Sequence, residues 1–396
     1  MIRQLPLPRR RSATSGIAVA LLALHLAAMP VAALTFDPEH RVRLPGGSLG
    51  AHPVEVSGPI AHFISSGERP GEGDSYVPAG DVIYTRRDLR TGPTPSVTLQ
   101  APGRYLYTAV GVAANGPLVI ALYQGADSTG YAGLWVRRST DGGITWRTRQ
   151  LLGEDAGSAD IAISASHVLV AWIDRSNGAV YYRRSLDDGA TYKNVRQLGR
   201  VADASMAAVR VAASAQAAYV AWKTPVGGLV MRRSSDAALN WAAAQTVAAS
   251  NVVRHSITPT PSRVLIVYER ADGSLVAAES SDAGVTVRRR YVVQASPDVG
   301  YRLCAVDMTR TVARVAYRPS AGGDGAIWVR ESFDGGAHWT GPVLALVGIP
   351  GYDLHHVPVS CSLSTSSSHA VVLDSALDRE FGEPYDRENA YTVGTS

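Results

Sequence analysis

The chain has 396 residues, of which 46% are apolar and 18% charged. That is long enough to bury a large core, and too apolar for a disordered chain or a small disulfide-held scaffold. Its 38 basic residues exceed its 34 acidic ones by four, and Arg3, Arg9, Arg10 and Arg11 account for the whole excess. The pI of about 9.1 is therefore a property of the first residues and argues neither for nucleic acid nor for an anionic membrane as partner.

Those arginines precede the apolar run "GIAVALLALHLAAM", which is shorter than the roughly 20 residues of a spanning helix. It exits through small residues at Val31 and Ala33. This pattern predicts a signal peptide over 1–33, export to the periplasm or the exterior, and a mature chain without a membrane span. Residues 34–56 read as an N-terminal extension and 57–396 as a single domain.

Within that domain "RRSTDGGITW", Arg137 to Trp146, recurs as "RRSLDDGATY", "RRSSDAALNW", "ESSDAGVTV" and "ESFDGGAHW". The aspartates are Asp141, Asp187, Asp236, Asp282 and Asp334, spaced 46, 49, 46 and 52 residues apart. A worn copy surrounds Asp88. Spacing of this size calls for a repeat architecture. Each period holds four short strand signals, as in "DIAISAS", "HVLVAW", "AVYYRRS" and "NVRQLG", and no segment carries a sustained helical stripe. Four-stranded units of this length bury both faces only by stacking on neighbours, which predicts an all-β, radially closed β-propeller. The strand signals in "PIAHFISS" and in the tail favour seven blades over six, with N- and C-terminal strands sharing the closing blade.

The pattern S-x-D-x-G-x-T-W, matched fully by Ser139, Asp141, Gly143, Thr145 and Trp146, resembles the Asp-box, or bacterial neuraminidase repeat, of the sialidase-like propellers. Other copies depart from it: Tyr192 replaces Trp, Leu239 and Asn240 stand where Gly-x-Thr would run, Val287 ends the fourth copy, and His338 replaces Thr. The resemblance implies the fold. It leaves the activity open, because the box occurs in proteins of several functions.

Physically, each box Asp can accept turn N–H groups while Gly takes the positive φ and the aromatic enters the core. The five aspartates are therefore expected to be structural, since repetition spreads them around a ring. Adjacent arginines such as Arg183 with Arg184, on opposite faces of a strand, are expected in inter-blade ion pairs or on solvated stems.

The opposite face is the expected ligand site. Arg210, Arg254 and Arg302 fall near the start of the innermost strand in successive repeats, with Asp160 one repeat earlier and His355 and His356 in the tail. Trp172, Trp222, Tyr268 and Tyr317 end the second strands. Aromatic platforms beside guanidinium groups suit sugar rings and carboxylates, so the expected ligand is a carbohydrate or another anionic small molecule, with a protein partner as the alternative. The resemblance implies a three-arginine carboxylate clamp, but the family's Phe/Tyr-Arg-Ile-Pro motif is missing, with only "VRLP" at Val42 to Pro45 near it. If the chain is instead a glycoside hydrolase, position alone offers Glu269, Tyr301, Glu383 and Tyr385 as catalytic candidates. No cofactor motif appears. Adjacent histidines diverge on a strand, so no metal site is expected. Cys304 and Cys361, on innermost strands of adjoining repeats, are expected to form a disulfide.

Overall fold

The computed structural model describes residues 35–36, 42–44, 48–70, 76–101, 106–126, 132–201, 208–295, 300–319, 326–346, 361–366, 369–378 and 386–395. All regular structure among them is β. The innermost strands are β2 (Ser48–Ser57), β6 (Leu106–Asn115), β10 (Ala156–Ser164), β14 (Val209–Ala213), β18 (Val252–Pro259), β22 (Tyr301–Met308) and β26 (Cys361–Thr365). Each begins an antiparallel four-stranded blade, giving seven blades in a ring. The seventh consists of β26, β27 (His369–Asp378), β28 (Asp386–Thr395) and, on its outer edge, β1 (Val42–Leu44). Register pairs Val42 with Tyr391 and Leu44 with Asn389, so the two ends of the chain close the ring and remove an open edge. Residues 34–56, expected as an extension, contribute β1 and most of β2 to the propeller.

Seven apolar clusters lie one at each junction between neighbouring blades. The strand β11 (His167–Asp174) shows how a sequence builds this. Val168, Val170 and Trp172 enter the cluster shared with the second blade, and Leu169, Ala171 and Ile173 enter the one shared with the fourth. A strand buried on both faces has to be apolar at successive positions, which is why "HVLVAW" does not alternate. The Cys304–Cys361 disulfide joins the inner strands of the sixth and seventh blades, with a Cα separation of 4.9 Å.

The repeated turns sit between third and fourth strands. In the first full copy the Ser139 hydroxyl donates to Asp141 Oδ1 at 2.7 Å and accepts the Gly143 N–H at 2.8 Å. Asp141 accepts the Thr145 N–H at 2.9 Å and the Thr145 hydroxyl at 2.5 Å. The same pattern recurs at Asp187 and Asp282. At Asp236 the frame differs from the expected one: Ala238 stands in the Gly position at φ +59°, and Asn240 stands in the Thr position, its side-chain amide donating to Asp236 at 2.9 Å. At Asp334 the His338 ring makes that contact at 2.6 Å. The turn aromatic packs across the junction to the preceding blade. Trp146 meets Tyr84 edge-on at 4.8 Å and Trp241 meets Tyr182 at 5.4 Å.

The arginine pairs before the turns do bridge blades, but to backbone carbonyls, which corrects the expected ion pairs. Arg183 and Arg232 reach back to Leu151 O and Leu198 O, at 3.4 and 2.9 Å. Arg184 and Arg233 reach forward to Ala237 O and Ala283 O, at 2.6 and 2.7 Å. Strand alternation sends the two members of a pair to opposite junctions.

Candidate functional site

Apart from one parallel bridge between β2 and β6, the inner strands face the axis with one edge unpaired among the described residues, and their backbone N–H groups need partners. Side chains from the preceding blade supply them. Asp160 Oδ2 accepts the Val211 N–H at 2.8 Å, Glu269 Oε2 the Leu303 N–H at 3.0 Å, and Asp307 Oδ2 the Thr365 N–H at 2.7 Å. Serines do the same: Ser66 for Ala109, Ser256 for Val306 and Ser364 for Val56. Sequence reasoning missed this ring of side-chain clasps. Its only signal was the presence of isolated polar residues within otherwise apolar inner strands.

The strands enclose an axial cavity of about 190 Å³, lined among others by Glu55, Asp160, Arg210, Ser256 and Asp307. Its lining runs from the middle of the inner strands to their ends, at Ala213, Pro259 and Met308, and the axial end at which these strands begin, the mouth opposite the repeated turns, lies beyond it. Here Arg210, half-buried, donates to Val209 O at 3.0 Å and borders the cavity. Arg254 lies 3.3 Å from Glu269, its side chain 47% exposed while that of Glu269 is 8% exposed. Arg302, also half-buried, is in register with the buried Arg318 across β22 and β23 (Ala313–Pro319). Sequence reasoning also missed His255 between them. It is buried, its Nε2 is 3.2 Å from Ala221 O, and its Nδ1 has no hydrogen-bond partner among the described residues. Burial, with the nearby Arg210 charge, pushes its pKa down to about 3, so the ring is neutral.

The structure places Arg210 in the cavity lining and Arg254 and Arg302 near the starts of the next two inner strands, outside that lining, and it does not provide the expected aromatic platforms. Trp172, Trp222 and Tyr268 are buried in the junction clusters, as is Tyr317. The end of a second strand lies between blades, so these rings face a neighbouring blade and not solvent. Asp160 is likewise buried and held by two backbone N–H groups, those of Ile161 and Val211. Glu269 meets Arg254 and the Leu303 N–H through the same oxygen, Oε2, and its side chain is 8% exposed. Tyr301 packs edge-on against Tyr317 at 5.5 Å. His355, Glu383 and Tyr385 lie outside the described residues. Among the described residues no three His, Cys, Asp or Glu side chains gather in a way that could hold a metal, and no helix is long and apolar enough to cross a membrane.

No family model matches the sequence, and no curated protein matches it. Solved structures do resemble the fold. The polysaccharide lyase Uly1 aligns with a TM-score of 0.52 at 11% identity, over 90% of this chain and 91% of its own. The endosialidase of phage phi92 aligns with a TM-score of 0.51 at 10% identity, over 90% of this chain and 69% of its own. The fucose-specific lectin of Aleuria aurantia aligns at 0.43 and 15% identity, over 73% of this chain and 96% of its own. At these identities the likeness is one of architecture: the chain shares the β-propeller fold of the lyase and the endosialidase.

Proposed function

We propose that the protein is an exported propeller of the Asp-box, sialidase-like kind that binds a carbohydrate, or another anionic small ligand, at the axial mouth opposite the repeated turns. The observation that supports this reading is that Arg210 lines the axial cavity and Arg254 and Arg302 stand near the starts of the next two inner strands, with the Arg254 side chain half exposed. Oriented guanidinium groups favour carboxylates and other anionic oxygens through paired, charge-assisted hydrogen bonds. The fold-level likeness to a polysaccharide lyase and an endosialidase supports carbohydrate as the ligand class. Binding is favoured over glycoside hydrolysis because Asp160 and Glu269, the carboxylates at this mouth among the described residues that sequence had offered, both hold backbone N–H groups. The apolar run within 1–33 and the disulfide, a bond that persists in an oxidising compartment, support the export part of this reading.

The test is a binding and turnover panel of acidic and neutral oligosaccharides, run beside Arg210→Ala, Arg254→Ala and Arg302→Ala. The expected result is binding to acidic members, weakened about tenfold or more by each substitution, as the loss of one charge-assisted contact implies. Binding untouched by all three substitutions, or no binding to any member, overturns the reading.

A further inference from the structure

Five junctions can be compared at the level where the second strand ends. The aromatics there, Tyr123, Trp172, Trp222, Tyr268 and Tyr317, stand opposite Ala109, Ala159, Val209, His255 and Leu303 on the inner strands. Beside them, at the bulge in the outer strand of the preceding blade, come Gln100, Gly153, Gly199, Ala248 and Gln294.

Two junctions, between the first and second blades and between the fifth and sixth, share one set of residues. Tyr107 and Tyr301 precede the inner-strand position by two, Tyr123 and Tyr317 end the second strands, and Trp135 and Trp328 pair with them from the third. Tyr107 meets Tyr123 edge-on at 5.8 Å, and Tyr301 meets Tyr317 in the same way at 5.5 Å. Each set holds a guanidinium delivered by a different strand. Arg149 lies over Trp135 at 4.2 Å from the ring centre and donates to Gln100 at 3.1 Å and to the Tyr107 hydroxyl. Arg330, on the third strand, donates through Nε to the Tyr317 hydroxyl at 3.2 Å, and that hydroxyl lies 3.5 Å from Gln294.

We infer that these two junctions are a pair of equivalent subsites for a carboxylated sugar, with Arg149 and Arg330 taking the carboxylate and Trp135 and Trp328 flanking the ring. Both arginines are half-buried, and neither forms an ion pair with a described residue. Their hydrogen-bond partners among the described residues are neutral, Arg149 also lies over the Tyr107 and Trp135 rings, and a ligand carboxylate would bring the opposite charge to each half-buried guanidinium. Among the described residues Arg149 donates only through Nη1 and Arg330 only through Nε, which leaves each with further N–H groups that point to none of them. A tyrosine hydroxyl fixes each fork in place, which reduces the entropy lost on binding. The remaining compared junctions lack the set, with Gly or Ala in place of Gln and Val230 or Val276 in place of Trp in two of them.

None of the residues of these subsites lines the axial cavity, and the experiment keeps the two readings apart. Saturation-transfer NMR is recorded with galacturonate and with galactose, on the native chain and on Arg254→Ala. Galacturonate is expected to bind several-fold better than galactose, and part of its signal is expected to persist in Arg254→Ala. In that background Arg149→Gln and Arg330→Gln should each remove about half of the signal and together remove it. Trp135→Phe and Trp328→Phe, which keep an aromatic in the junction, should weaken it at an unchanged unfolding midpoint. The inference is overturned by equal signals from the two sugars, by absence of signal in Arg254→Ala, or by a signal that survives both glutamine substitutions. The reading of the mouth depends only on the three alanine substitutions made there.

Discussion

A Cβ placed on Gly199 would stand 2.6 Å from the Trp222 indole. The two residues belong to neighbouring blades, so a glycine in one repeat makes room for a tryptophan in the next. Gly153 and Trp172 stand in the same relationship, at 2.7 Å, one junction earlier. Where the second strand ends in Tyr123 or Tyr317, the glycine gives way to Gln100 or Gln294, and where it ends in Tyr268, to Ala248.

This complementarity predicts that Gly199→Ala destabilises the protein by about 1–3 kcal/mol through overpacking. Gly199→Gln should be worse alone than when combined with Trp222→Tyr, because the smaller ring leaves space and its hydroxyl offers the amide a partner. A double-mutant cycle in denaturant measures the coupling. Strict additivity of the two changes would show that the pairing across the junction has no energetic content.

The turn at Asp236 predicts the opposite sign. Ala237 and Ala238 adopt φ +56° and +59°, where the corresponding turns at Asp141 and Asp334 use two glycines. Left-handed backbone costs a residue with a Cβ about 1–2 kcal/mol. Ala238→Gly should therefore raise stability by roughly 0.5–1 kcal/mol after the added unfolded-state entropy is counted. A thermal midpoint equal to or below that of the native chain refutes this.

Much of the architecture was legible because it is written locally and repeatedly. The seven-bladed ring, the shared closing blade and the Cys304–Cys361 bridge follow from period, strand signals and turn residues. The mouth was only partly legible. Repeat spacing puts Arg210, Arg254 and Arg302 near the starts of inner strands, as the structure does, whereas Trp172, Trp222 and Tyr268, which the sequence offers as platforms, are buried. A second strand in a propeller is buried on both faces, so its sequence does not show whether an aromatic faces a channel or a neighbour. Nor could the clasps by Asp160 and Glu269 be read, since they depend on an unpaired strand edge that exists only once the blades stand side by side. Gln100 and Gln294 gave a faint signal by recurring at one position in two repeats.

Acid should act on the fold in two separable stages. His62 and His255 are buried and neutral, held at about 4 and about 3. For both, burial is the largest cause, reinforced by Arg86 beside His62 and by Arg210 near His255. Unfolded, each takes up its proton near the ordinary 6.5. Below that pH the unfolded chain binds protons that the folded chain refuses, so stability falls as pH drops from about 6.5, by at most about 1.4 kcal/mol per pH unit for each group. The turn carboxylates act later. Hydrogen bonds hold Asp187, Asp236 and Asp282 at about 2, led by Ser185 for Asp187, the Asn240 N–H for Asp236 and Ser280 for Asp282. Their contribution is complete above the ordinary carboxylate value near 3.8 and is lost as pH falls toward 2. The unfolding midpoint is therefore expected to be level above pH 7, to decline below 6.5 and to steepen below 4. His255→Gln should remove the larger share of the first decline, leaving the part due to His62 and the second decline intact, and Asp282→Asn should reduce the second by about a third while leaving the first. A midpoint that stays level between pH 7 and 5 would mean that neither histidine is held neutral by the fold.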